Sequence, residues 1–144
     1  MSDDDAYADW QRSNSIATEA VDLSQRSPIE VRLYLDDVRP CPFGYTLARS
    51  VAEAIGVMLH WTVTDASLDH DLGACDDCLR REEVAAAAAT GAFLCEHVPN
   101  GMAFVKWMKR TGVWPVNKPK VHSANGDKAP KMRDEIERHF PRAT

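Results

Sequence analysis

Short β-forming runs that each break off on a polar cluster set the strongest limit on what this chain can fold into. Val31-Arg-Leu-Tyr-Leu35 runs into Asp36-Asp37, Thr62–Leu68 into Asp69-His70-Asp71, and Lys120-Val121-His122-Ser123 into a turn at Ala124-Asn125-Gly126. The stretches between them repeat with helical period. Val51, Ala54, Ile55 and Met58 follow Ser50, which has Glu53 three residues on in the capping-box position, so a helix is predicted to about His60. Met102–Lys109 carries Phe104, Val105, Trp107 and Met108 and stops near Gly112, while Lys131–His139 sets Met132, Ile136 and Phe140 near one face. A Pro- and Gly-rich loop after Asp37 leads to a short second strand at Tyr45–Ala48. Strands alternating with helices predict an α/β fold with an open, mostly parallel sheet flanked by helices. In such sheets ligands sit beyond the carboxyl ends of the strands, where all three polar clusters fall.

The 144 residues suit one domain, and 44% hydrophobic with 27% charged residues excludes disorder throughout. No apolar run approaches the ~20 residues of a membrane helix. The opening Met-Ser-Asp-Asp-Asp is acidic where a secretory signal is basic, which predicts a cytoplasmic protein away from membranes. Residues 1–30 hold seven acids against Arg12 and Arg26, a sum of −5 that equals the whole net charge; they are predicted to form an acidic, poorly ordered arm ahead of a domain at 31–144. That domain sums to zero, which argues against general duplex-DNA binding. Between Lys106 and Arg142, ten basic residues face four acidic ones, a balance that can attract a phosphate-bearing ligand or simply mark a solvated helix face.

Asp36, Asp37, Asp69 and Asp71 gathered on one rim would repel one another unless protons or a cation intervened. Carboxylate oxygens suit a hard divalent cation such as Mg²⁺ or Mn²⁺, held here by Asp36, Asp37 and Asp69; loop capping is the plainer role for such aspartates. His70 and His122 are candidates for acid and base in phosphoester hydrolysis, since imidazole titrates near neutrality. Ser123 and Asn125 can hold phosphate oxygens, Ser123 can alternatively act as a nucleophile, and Arg39 can pair with a phosphate or with a neighbouring carboxylate. His60 and His139 are expected on the surface, and Trp61, Trp107 and Trp114 in the core.

Residues 74–98 look like an insertion. Cys75-Asp-Asp-Cys78 and Cys95-Glu-His97 supply three thiolates and one imidazole, the donor set of a closed, structural Zn²⁺ site. A redox pair at Cys75 and Cys78, or unpaired cysteines, are the alternatives. Cys41 is left over.

Four blocks in order, Leu33-Tyr-Leu-Asp-Asp-Val-Arg-Pro40, Ser67-Leu-Asp-His-Asp-Leu-Gly73, Asn100-Gly-Met and Val121-His-Ser-Ala-Asn125, resemble the cyclic-phosphate processing receiver-like family over about residues 31–141. The resemblance implies a receiver-like (flavodoxin-like) fold with a small zinc-clamped insertion. Carried over by motif, Asp36, Asp37, Asp69, His70, Asp71, His122, Ser123 and Asn125 become the site, with Asp69 in a receiver's phospho-acceptor position. It further implies a phosphoesterase acting on a cyclic phosphate, at an RNA 2′,3′-cyclic end or in a cyclic nucleotide. The alternatives are a non-catalytic receiver-like module that binds a nucleotide or protein, and a phospho-accepting receiver. His70 beside that aspartate, a loop instead of a helix after the first strand, and the lack of a final strand bearing the receiver lysine argue against phosphorelay signalling.

Overall fold

A computed structural model of the chain describes residues 23–72 and 99–141. In chain order it contains strand β1 (Glu30–Leu35), strand β2 (Thr46–Ala48), helix α1 (Val51–His60), strand β3 (Thr62–Leu68), helix α2 (Gly101–Thr111), strand β4 (Lys120–Val121) and helix α3 (Lys128–His139). The four strands form one sheet in the order β2-β1-β3-β4, and every neighbouring pair is parallel. With its helices this is the flavodoxin-like α/β architecture. Cys75, Cys78, Cys95 and His97, the expected zinc ligands, lie outside the described residues, as does most of the acidic arm.

The caps explain where the helices start and stop. Ser50 Oγ accepts from the Glu53 backbone N–H at 3.2 Å, and Glu53 reaches back to the Arg49 N–H at 2.6 Å, one residue earlier than a standard capping box. Asn100 Oδ1 caps α2 through the Ala103 N–H at 3.1 Å, and Gly112 closes that helix in the left-handed region at φ 72. α3 begins three residues before the Lys131 expected from periodicity. Asn125 Oδ1 accepts from the backbone N–H groups of Asp127 and Lys128, at 3.1 and 3.0 Å, and so starts the helix ahead of its apolar face. β4 is only two residues long because His122 and Ser123 already turn away into that cap.

Alternation along the strands separates the two faces of the sheet. Leu33 pairs with Ala66 and Leu35 with Leu68, and all four are buried in one apolar cluster with Ala54, Met58, Phe104, Trp107, Met132 and Ile136 from the three helices. The helices therefore line up on this one face. The opposite face carries Arg32, Tyr34, Asp65 and Ser67, and no helix covers it among the described residues. The reason lies in the β1–β2 connection. Residues 36–45 pass between parallel strands as a loop, with a turn at Tyr45 N–H to Pro42 O of 3.2 Å and Gly44 at φ 87. Trp107 is fully buried, and Trp114 packs edge-on against Phe140 with ring centroids 5.6 Å apart. Trp61 departs from the core expectation: it is the C-terminal cap of α1, where the chain reverses into β3, and is 38% exposed.

The sheet order decides where a site can lie. β1 leads outward to β2, and the chain then returns across β1 to β3, so the order reverses between β1 and β3. In open parallel sheets a crevice forms at that point, beyond the carboxyl ends.

Candidate functional site

Backbone ladder bonds carry the three polar clusters to this crevice. The Asp36 N–H donates to Ala48 O at 3.1 Å, the Asp69 N–H to Leu35 O at 2.9 Å, and the His122 N–H to Leu68 O at 2.9 Å. Each residue is thus the first step past its strand, held by the strand beside it. Ligand atoms of Asp36, Asp69 and His122 all lie within 4.8 Å of one another. The convergence expected from strand ends is present.

Asp36 is fully buried and its carboxylate is saturated. Oδ1 accepts from the backbone N–H groups of Val38 and Arg39, at 3.0 and 2.8 Å, while Oδ2 accepts from Arg39 Nη1 at 3.2 Å and His122 Nε2 at 2.9 Å. Burial alone would raise its pKa, but the Arg39 and Val38 N–H groups and His122 outweigh it, so the carboxyl is held below its ordinary value. An ionised carboxylate only accepts, so the proton between Asp36 and His122 resides on Nε2. The other ring nitrogen, Nδ1, lies 2.7 Å from Ser67 Oγ, and the imidazole is stacked on Tyr34 with centroids 4.5 Å apart and planes 2° from parallel. Asp36, His122 and Ser67 form a continuous hydrogen-bonded chain that fixes the ring on three sides.

Asp69 and Asp37 are strained electrostatically. Burial raises the pKa of Asp69, and Asp36 beside it adds to the effect; the His70 N–H, Ser123 and His122 only partly offset this. Asp37 is pushed up to about 6, chiefly by burial and then by Asp36 and Asp69 against the opposing pull of its own backbone N–H and of Arg49. Its buried Oδ1 finds no hydrogen-bond partner among the described residues. An orphaned carboxylate oxygen beside two further carboxylates is a setting that a cation relieves. The donors present fit a divalent cation.

The two candidate histidines differ in surroundings. His122 is partly exposed, whereas His70 is fully buried with Nδ1 bonded to Asp71 Oδ1 at 2.6 Å. Asp71 is held in turn by Asn125 Nδ2 at 3.2 Å, so with its Oδ1 on the α3 cap Asn125 is engaged at both side-chain ends. Ser123 Oγ accepts from the Asn125 N–H at 3.1 Å. Arg39 bridges the Asp36 carboxylate and the His122 carbonyl at 3.0 Å, with its side chain 39% exposed toward solvent.

A family model for cyclic-phosphate processing receiver domains matches residues 31–138. The chain belongs to this family. No curated protein and no solved structure matches it. The match leaves outside only the first residue of β1 and the last of α3 among the described elements, so the receiver domain contains the whole rim.

Four residues that shape the rim of this receiver domain escaped the sequence reading. Ser67 sits inside a strand, and only the pairing of β3 with β4 brings it to His122. Tyr34 lies between Leu33 and Leu35 in an apolar run, with nothing in the run to mark it as a stacking partner for His122. Arg49 donates to the carbonyls of Asp36 and Arg39, at 3.2 and 3.1 Å, and pins the loop after β1. Gly101, named only within the Asn100-Gly-Met block, lets α2 approach the rim: its N–H donates to His70 O at 2.8 Å, and a Cβ there would sit 1.9 Å from the Asp69 carbonyl oxygen. The Asn-Gly pair did hold a signal, since a cap followed by glycine is what a helix start against backbone requires.

Asp37 gives this receiver domain a pH-dependent stability of definite sign. Its folded pKa of about 6 exceeds its ordinary 3.8, so the folded state holds the proton more tightly and stability declines as pH rises through that interval. Asp37→Asn removes the repulsion. In buffer without added divalent cations it should leave Tm almost unchanged near pH 4 and raise it by about 3–8 °C above pH 6.5, equivalent to ~1 kcal/mol. Thermal melts across that pH range check it; a constant difference at every pH would refute it.

Proposed function

We propose that the protein hydrolyses a cyclic phosphodiester, an RNA 2′,3′-cyclic end or a cyclic nucleotide. The observation that carries this reading is the Asp36–His122–Ser67 chain lying against Asp69 at the crevice of a receiver sheet. Within the set Asp36, Asp69 and His122, the imidazole already gives Nε2 to Asp36. We therefore assign the divalent cation, Mg²⁺ or Mn²⁺, to Asp69 and to Asp36, whose Oδ2 it would take over from His122, with the charge of Asp37 adding to the pull, and leave His122 for proton transfer. A cation bound there supplies charge neutralisation for phosphoryl oxygens and makes a bound water more acidic. Arg39, with one face to solvent, adds a guanidinium for a phosphate oxygen.

In the hydrolysis, a water oxygen bonds to phosphorus, the bond from phosphorus to the 2′-oxygen breaks, and the leaving oxygen takes a proton. As the imidazolium, with Nδ1–H on Ser67, His122 gives that proton from Nε2, which turns from Asp36 to the leaving oxygen, and takes another from solvent; Ser67 and Tyr34 hold the ring in line. The proton of the water is released to solvent. His70 is assigned to positioning: buried against Asp71, it ties the β3 terminus through Asn125 to the start of α3.

The test is incubation with 2′,3′-cyclic nucleotides and cyclic-ended RNA, with and without Mg²⁺ or Mn²⁺, read by mass spectrometry. A gain of one water over many turnovers supports the reading. Binding without turnover replaces it with the non-catalytic module. Adding Mn²⁺ should raise Tm by several degrees in the wild type and in His122→Ala but not in Asp69→Asn. Loss of the shift in His122→Ala would instead make the imidazole a ligand. For the expected zinc, elemental analysis of the purified protein should give about one equivalent, lost in Cys75→Ser.

A further inference from the structure

The sheet ends at β4 among the described residues, and a groove of about 410 Å³ opens between that edge strand and α3. Lys118, Lys120 and Arg133 line it with Pro119, Val121 and Ile136, and Glu137 is its single acid. It gathers three of the ten basic residues of the C-terminal half. The groove lies along the strand that ends one residue before His122.

An open strand edge beside a groove usually invites another strand. Here the edge is blunted. Pro119 has no N–H to offer, and Arg133 Nη2 occupies the Val121 carbonyl at 3.3 Å. Three cations at a mouth with little backbone left to pair suit a polyanion better than a peptide. The Lys118–Glu137 contact is no barrier: its side chains are 51% and 59% exposed, and ion pairs so exposed exchange partners at small cost.

We propose that this groove is a track for the phosphodiester backbone of single-stranded RNA, which makes the substrate an RNA end in preference to a free cyclic nucleotide. The inference rests on the hydrolytic reading only for what happens at the terminal phosphate. With that phosphate at the rim, the preceding nucleotides run back along β4 past Arg133, which sits on the Val121 carbonyl, and then Lys120 and Lys118. Recognition is of charge and chain path and is indifferent to base sequence.

Fluorescence anisotropy with a labelled single-stranded RNA hexamer bearing a linear 3′-phosphate tests the groove with no turnover involved. Lys118→Glu/Lys120→Glu should weaken binding about ten-fold or more and flatten the salt dependence from a slope of about −2 to about −0.7. Lys131→Glu, on the same helix but on the side turned from the groove, is the charge-matched control and should change affinity less than two-fold. Lys118→Gln/Lys120→Gln, with folding confirmed by circular dichroism, should show an intermediate loss. Equal weakening by Lys131→Glu, no weakening by the lysine pair, or a labelled oligoglutamate binding as tightly as RNA would each overturn the proposal. The two readings fail separately. RNA that binds through these lysines but whose cyclic form is never opened leaves the groove and removes the hydrolysis. Cyclic mononucleotides opened as efficiently as cyclic-ended oligomers leave the hydrolysis and remove the groove.

Discussion

Replacing Gly101 by alanine should cost about 3 kcal/mol or more and lower Tm by roughly 10 °C, with activity lost in the same variant. The added methyl would sit 1.9 Å from the Asp69 carbonyl oxygen and 2.9 Å from the Asp69 carbonyl carbon. The obstruction is backbone, which cannot swing aside as the end of a flexible side chain can. Either α2 retreats, taking Phe104, Trp107 and Met108 out of their packing, or the Asp69–His70 peptide rotates and the Gly101 N–H loses His70 O. Both routes move Asp69. Gly112 supplies the comparison: alanine there meets no neighbour within 4 Å and is strained only by its φ of 72, so it should cost about 1 kcal/mol and leave activity intact. Differential scanning calorimetry on the two variants separates them, and equal losses would refute the close-approach argument.

The second large effect is expected at His122. His122→Ala should lower kcat by about 10²–10⁴-fold on the cyclic phosphate that the protein turns over, with a change in Tm of only a few degrees, because the ring is partly exposed and Asp36 keeps its three hydrogen bonds to residues 38 and 39. His70→Ala should show the reverse emphasis. It empties a fully buried site and strips Asp71 of its 2.6 Å partner, so a loss of about 2–4 kcal/mol should exceed its direct effect on kcat. Ser67→Ala tests the chain behind His122: a moderate fall in kcat with KM unchanged identifies a positioning group. Equal kcat losses in the two histidine variants, with equal stability losses, would make the assignment of roles wrong.

Much of this was legible in the sequence because strand ends declare themselves. An apolar β run that stops on Asp-Asp or Asp-His-Asp marks both the strand and its polar terminus, and parallel connections carry such termini to one rim. The bounds of β3 and the Ser50 cap follow from patterns of the same kind. What stayed hidden depends on register between distant strands. That Ser67 faces His122 requires knowing that β3 pairs with a strand of two residues, too short to carry a periodic signal. Tyr34 falls inside an apolar run, between Leu33 and Leu35, and only the missing helix after β1 shows that its side of the sheet is open. Nor does sequence tell buried from exposed imidazole, which is what divides His70 from His122. The family match and the motif resemblance agree on the domain, while the roles of individual side chains rest on the geometry and on the experiments above. No helix among the described residues is long and apolar enough to cross a membrane.

The three ladder bonds from Asp36, Asp69 and His122 to Ala48, Leu35 and Leu68 have an evolutionary consequence. Each reactive group hangs from the neighbouring strand like a rung, so its coordinates are inherited from the sheet and not from the loop that follows it. Changes to the loops beyond the Asp36–Arg39 turn leave these positions in place, and new specificities can be grafted around an unchanged centre.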